Sequence, residues 1–207
     1  MGARPARSRE SCLKGCDRAG GVGRIALCGH LRYKQRMPAP GTSANTDRDL
    51  ARLAARVGRR LLKHELSVAT AESCTGGWIA KALTDVAGSS QWFVEGFVTY
   101  SNESKIRRLG VSSAVLKREG AVSEAVVRAM AAGVIRRTGA RLAVAVSGIA
   151  GPGGAVPGKP VGTVWLGWAE RRGRAIHVAA ELRRFRGNRE AVRRKTVRRA
   201  FEGLLIL

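Results

Sequence analysis

The stretch Leu142 to Val146, LAVAV, is apolar at every position and ends in SGIAGPGG. A strand that shows water on one face alternates apolar with polar residues, whereas a strand covered on both faces reads as a continuous apolar run. The segment therefore requires layers of structure above and below it, and the glycine-rich stretch marks where the chain leaves the sheet.

The rest of the pattern supplies those layers. Behind the capping candidates Thr46 and Asp47, residues Leu50, Leu53, Ala54, Val57, Leu61 and Leu62 recur at helical spacing and predict a helix of about five turns. Leu66 to Ala71 reads as a short buried strand, Gly76 to Leu83 as a helix, Phe93 to Tyr100 as a second strand, and Asn102 to Leu109 as helical. Ser123 caps a helix that carries Glu124 in its first turn, places Val126, Val127, Met130 and Val134 on one face, and has Gly139 beyond its end. Val161 to Ala169 and Ala175 to Arg184 read as two strands joined at Arg171-Arg172-Gly173. A closing helix from Asn188 turns Val192, Val197, Ala200, Phe201, Leu204 and Leu205 inward. Helices alternating with buried strands, followed by a late hairpin, predict an α/β fold: a single-domain three-layer α/β/α sandwich around a mixed β-sheet, spanning residues 46–207. In such sheets ligands collect at the carboxyl ends of strands, where both AESCTGG (71–77) and SGIAGPGG (147–154) fall.

Residues 1–45 mix Arg, Gly, Ser and Pro without apolar periodicity and read as a basic, disordered extension; Met37 stands close to the start of the ordered pattern as an alternative translation start. Cys12, Cys16, Cys28 and His30 offer metal ligands at a spacing that matches no compact zinc module. Three of the four cysteines lie in this stretch and Cys74 lies in the body, which is no disulfide framework and fits a reducing cytoplasm. There is no run of 18 apolar residues and no apolar segment of the kind a secretory signal needs.

The chain carries 38 Lys and Arg against 15 Asp and Glu, a formal charge of +23. Such an excess suits anionic partners, but it concentrates in the first 36 residues and between Arg171 and Arg199, and biased genome composition accounts for it as well as a ligand does. No aromatic stacking platform or recognition motif accompanies those arginines, so no specific nucleic-acid partner is expected.

Ser73 stands where a strand ends and a helix begins. There a serine can cap the helix, or it can be a nucleophile whose oxyanion is held by backbone N–H groups, and the junction alone does not separate the two roles. None of His30, His64 and His177 lies beside a suspected site, so a Ser-His-Asp triad has little support. Tyr100 and Lys105, in GFVTYSNESK, follow a strand end; a lysine made neutral by burial and neighbouring positive charge can serve a serine as base, and a solvated helix residue is the alternative. Ser147, Gly148 and Gly151 belong to a loop that reads as a ligand cradle or a wide turn. Cys74, intrinsically the better nucleophile, is the rival to Ser73.

AESCTGG, GFVTYSNESK, GAVSE, SGIAGPGG and KPVGTV, in this order, resemble the CinA C-terminal domain family in its stand-alone nicotinamide-mononucleotide deamidase (PncC) form, over about residues 48–205. The resemblance implies hydrolysis of the carboxamide of nicotinamide mononucleotide to nicotinate mononucleotide and ammonia, in pyridine nucleotide salvage, without a metal or other cofactor. It implies Ser73 as nucleophile, Lys105 as base and Tyr100 as assistant in proton transfer. It also implies Thr75, Gly76 and Gly77 near the reacting amide, and Ser147, Gly148, Gly151 and Arg189 around the nucleotide. A homo-oligomer in the cytoplasm is expected, with no membrane partner. The family usually has Asp where this chain has Asn188, a change that keeps a helix cap. The alternative within the same fold is a non-catalytic nucleotide-binding domain, or one related to competence or DNA damage.

Overall fold

The computed structural model describes residues 46–207; the extension 1–45, with its cysteines, His30 and Met37, lies outside the described residues. In chain order the elements are α1 (Asp47–Lys63), β1 (Val68–Glu72), α2 (Trp78–Thr84), β2 (Phe93–Val98), α3 (Asn102–Leu109), α4 (Ser113–Glu119), α5 (Glu124–Thr138), β3 (Leu142–Gly148), β4 (Thr163–Arg172), β5 (Ala175–Arg184) and α6 (Arg189–Leu204). The sheet runs β2-β1-β3-β4-β5. β1 is parallel to β2 and β3, while β4 runs antiparallel to β3 and to β5, so the sheet is mixed as expected.

The two inner parallel strands, β1 and β3, divide their side chains by size. Val68 of β1 and Leu142, Val144 and Val146 of β3 point to the core shared with α1, α2 and α6. Ala69, Ala71, Ala143 and Ala145 point the other way, towards α3, α4 and α5. Strand alternation thus lays a floor of alanines beneath α5 and a larger apolar surface beneath α6. The result is the three-layer α/β/α sandwich.

Several boundaries move for local reasons. Leu62, expected to face inward, is 46% exposed, because it sits 100° around α1 from the buried Leu61. β1 begins at Val68 and includes Glu72; Leu66 packs on the core from the preceding loop. α2 starts at Trp78 because Gly76 and Gly77 adopt φ of 61° and 95°, outside the right-handed helical region. β2 stops at Val98, β4 starts at Thr163, and Arg171 and Arg172 complete β4, leaving Gly173 and Arg174 as the turn into β5. Leu205 lies just past α6, half-buried. α4 is a short helix the apolar pattern did not disclose.

The capping predictions match the structure: Thr46 and Asp49 form a reciprocal capping box on α1, Ser123 Oγ accepts from Val126 N, and Asn188 Oδ1 accepts from Ala191 N. No helix among the described residues is long and apolar enough to cross a membrane.

Candidate active site

β1, β2 and β3 run parallel, so their carboxyl ends lie together. Ser73 leaves β1 still attached to β3, its N–H donating to the Val146 carbonyl at 3.1 Å. The chain then folds back, Gly76 N–H donating to Ser73 O at 3.1 Å, and enters α2 through the two left-handed glycines.

Ser73 does not cap this helix. Glu72, completely buried, directs its carboxylate at the helix start: Oε2 accepts from Gly77 N and Ile79 N, each at 3.0 Å, and Oε1 accepts from Ala80 N at 2.8 Å. A carboxylate there satisfies donors that the helix cannot and complements its dipole. The cap reading of Ser73 is therefore corrected: Glu72 holds that role and the serine hydroxyl is released from it.

Alternation continues through the strand end. Glu72 faces α2, Ser73 faces α3, and Cys74 returns to the core beneath α6. On the α3 side the Ser73 hydroxyl meets Lys105, whose Nζ lies 3.2 Å from Ser73 Oγ and donates to the carbonyls of Thr99 (2.7 Å) and Tyr100 (3.1 Å). Ser101 fixes this start of α3, its Oγ accepting from Ser104 N. Lys105 is only 1% exposed, and burial pulls its amine below the ordinary lysine range, with weaker opposing influences from Cys74 and Glu103. Of the two causes anticipated from sequence, burial is the one that acts. Nζ thus meets three oxygens, Ser73 Oγ and two carbonyls; a neutral amine, with two N–H donors and one lone pair, can give its donors to the carbonyls and accept the serine O–H.

Cys74 is buried, and desolvation pushes its thiol up to about 12, so its thiolate is scarce at neutral pH. Thr75 is completely buried and its Oγ1 has no partner among the described residues.

The remaining predicted residues form a second group. Arg189 Nη1 donates to Gly151 O (2.7 Å), and its Nη2 donates to the Tyr100 hydroxyl (3.3 Å), tying the loop after β3 to the end of β2. Tyr100 is 62% exposed; its contact with Lys105 is through its carbonyl. Ser147, buried at the end of β3, donates to Ala121 O at 2.7 Å. Gly148 presses on β4, where a Cβ would come within 2.6 Å of Val164 Cγ2. Gly151 adopts φ 82°.

Sequence reasoning left Glu72 unassigned and missed Thr99 and Arg193. Arg193 donates from Nε to Cys74 O (3.1 Å) and from Nη2 to Thr75 O (2.6 Å), with its guanidinium 5.3 Å from the Trp78 ring centroid. The available signal was its position one helical turn after Arg189, on the same face of α6.

A family model for the CinA C-terminal domain matches residues 50–207. The chain belongs to the CinA C-terminal domain family. Within it, similarity extends to proteins named nicotinamide-nucleotide amidohydrolase PncC. The one from Pseudomonas putida is 55% identical over 155 residues, covering 75% of this chain and 94% of the relative. That from Escherichia coli K12 is 50% identical over 159 residues, covering 77% and 94%. Among solved structures, the competence damage-inducible protein A of Klebsiella pneumoniae superposes with a TM-score of 0.72 at 40% identity, covering 76% of this chain and 95% of that one. The competence/damage inducible protein of Agrobacterium tumefaciens gives 0.72 at 43% identity, covering 83% and 98%. Every residue of both groups above falls within the CinA-family stretch.

Proposed function

We propose that the chain hydrolyses the carboxamide of nicotinamide mononucleotide, releasing ammonia and nicotinate mononucleotide, with Ser73 as nucleophile. The observation that carries this reading is the buried Ser73–Lys105 pair, 3.2 Å apart, in a chain half identical to nicotinamide-nucleotide amidohydrolases.

Lys105, neutral at the outset, takes the Ser73 proton as Oγ attacks the carboxamide carbon. The carbonyl π electrons move onto oxygen, and backbone N–H groups of the Cys74–Thr75 turn hold the oxyanion. When the tetrahedral species collapses, Lys105 returns the proton to the departing nitrogen, which leaves as ammonia. Water then attacks the acyl ester, giving one proton to Lys105; Lys105 passes it to Ser73 Oγ as the ester C–O bond breaks, and the acid product gives its remaining proton to solvent and departs as the carboxylate. None of these steps calls on a metal or cofactor.

Thr75, Gly76 and Gly77 border the reacting amide in this reading. Ser147, Gly148 and Gly151 shape the nucleotide cradle, and Arg189, bracing Gly151 and Tyr100, offers its cation to the 5′-phosphate. Tyr100 supports Lys105 through its carbonyl and meets the ligand with its hydroxyl. The enzyme works as a cytoplasmic homo-oligomer.

The test is ammonia release from nicotinamide mononucleotide by wild type and Ser73→Ala. Turnover by wild type and its near-complete loss in a folded Ser73→Ala protein are expected; a folded wild type that binds the mononucleotide without turnover refutes the assignment.

A further inference from the structure

The turn that carries Ser73 leaves few main-chain donors unspent. Ser73 N–H goes to Val146 O, Gly76 N–H to Ser73 O, Gly77 N–H to Glu72 and Trp78 N–H to Thr75 O. The Cys74 and Thr75 N–H groups meet no acceptor in another of the described residues, and of the two it is the Thr75 N–H whose peptide carbonyl an arginine holds. It lies two residues beyond Ser73, the position from which a backbone donor reaches a serine hydroxyl in a local turn.

What sets the direction of that N–H is the peptide linking Cys74 to Thr75. The described residues contain one cis bond, Gly151–Pro152, so this peptide is trans, and its C=O and N–H point in opposite directions. Arg193 donates from Nε to that carbonyl and from Nη2 to the next one, gripping both peptide planes with one rigid fork. The fork is itself held by the Trp78 ring beneath it and by its place on α6. With the Cys74 carbonyl drawn towards α6, the Thr75 N–H is turned away from α6. A cation on the carbonyl also withdraws electron density from the peptide and strengthens its N–H as a donor.

We infer that Arg193 is a positioning residue for the reaction: through the Cys74 carbonyl it aims and polarises the Thr75 N–H as a donor that stabilises the oxyanion. The inference rests on the proposed serine mechanism. Arg193 does not touch substrate; Arg189, one turn earlier, remains the residue offered to the nucleotide. Two arginines on one face of α6 thus divide the work between binding and rate.

The experiment measures kcat and KM for ammonia release by wild type, Arg193→Gln, Arg193→Lys and Ser73→Ala, with kcat expressed per active site from the burst of acyl-enzyme and with thermal unfolding of each protein. An interaction made only in the transition state shows in kcat, and losing one oxyanion donor costs about 100-fold or more. For Arg193→Gln the expected kcat is about 10- to 100-fold below wild type, with KM within about twofold. Arg193→Lys recovers part of the loss, since an ammonium reaches one carbonyl but cannot fork across two. A raised KM with kcat unchanged makes Arg193 a substrate contact and overturns the inference. So does a lower unfolding temperature with an unchanged kcat per active site, which is a structural role only. If Ser73→Ala is inactive while Arg193→Gln turns over at the wild-type rate, this inference alone fails; an active Ser73→Ala removes the serine mechanism and this inference with it.

Discussion

Ser73 and Cys74 are adjacent, yet the strand end sends the hydroxyl to Lys105 and the thiol into the core beneath α6. Cys74→Ala should keep turnover within a few-fold of wild type. In the folded protein, alkylation by iodoacetamide, mapped by mass spectrometry, should spare Cys74 until denaturant is added, as its burial and a thiol pKa of about 12 require. Lys105 sets the pH dependence. Its lowered amine must be neutral to accept the serine proton, so kcat/KM should rise with pH along a limb centred below the ordinary lysine value of about 10.4. Stability carries the same sign. Between the folded pKa and the higher unfolded one the unfolded chain binds more protons, so unfolding free energy increases with pH across that window. Lys105→Met should abolish turnover and flatten the rise of stability with pH, as followed by urea denaturation from neutral pH to about pH 10.

At the level of elements, the β1-to-α2 junction depends on a carboxylate that belongs to the strand but serves the helix. Glu72 collects three N–H donors of the α2 start from a fully buried position, which stops that end of the helix from recruiting the Ser73 side chain. Glu72→Gln removes the charge and exchanges one acceptor oxygen for a donor amide that faces N–H groups. The expected loss is about 1–3 kcal/mol of stability, read by thermal or chemical unfolding. Because the same carboxylate anchors Gly77, a fall in kcat should accompany the stability loss. The seven residues 71–77 read from sequence as strand, turn and helix, and so they are; which side chain caps was hidden, because Glu72 precedes the helix by several residues and reaches its donors only after the glycines fold the chain back.

Across the whole molecule, α6 is the brace that brings the site together. Its carboxyl half seats on β4, where Trp168 Nε1 donates to Ala200 O at 3.0 Å and a Cβ on Gly203 would come within 2.1 Å of the indole. Its amino half carries Arg189 and Arg193 to the ends of β3 and β1. Gly203→Ala must therefore lift the helix or displace Trp168, and a stability loss of about 1–3 kcal/mol is expected in thermal unfolding. A fall in turnover should accompany it, although the substitution is remote from Ser73. The basic stretch Arg171 to Arg199 also takes its meaning from the fold. Arg199 is buried against Glu181, Arg194 pairs with Asp47 and Glu190, Arg198 with Glu202 and Arg172 with Glu170, while Arg171 and Lys195 donate to carbonyls. Part of what looks in the sequence like a surface for polyanions is thus tied into intramolecular pairs, while Arg174, Arg184 and Arg186 stay exposed.

The amino-acid sequence by itself determined the layers. LAVAV demanded cover on two faces, helical periodicity supplied it, and Thr46, Ser123 and Asn188 announced helix starts, because burial patterns and caps are local and act over a few residues. It also brought Ser73, Lys105 and the SGIAGPGG loop forward as chemistry, through motifs in a recognisable order. Only the tertiary structure decided that Glu72 rather than Ser73 caps α2, that Lys105 is buried beside the serine, and that Arg193 holds the turn from 118 residues away. Those roles depend on the sheet bringing strand ends together and on α6 crossing them, and contacts between distant segments leave no periodic trace in the chain.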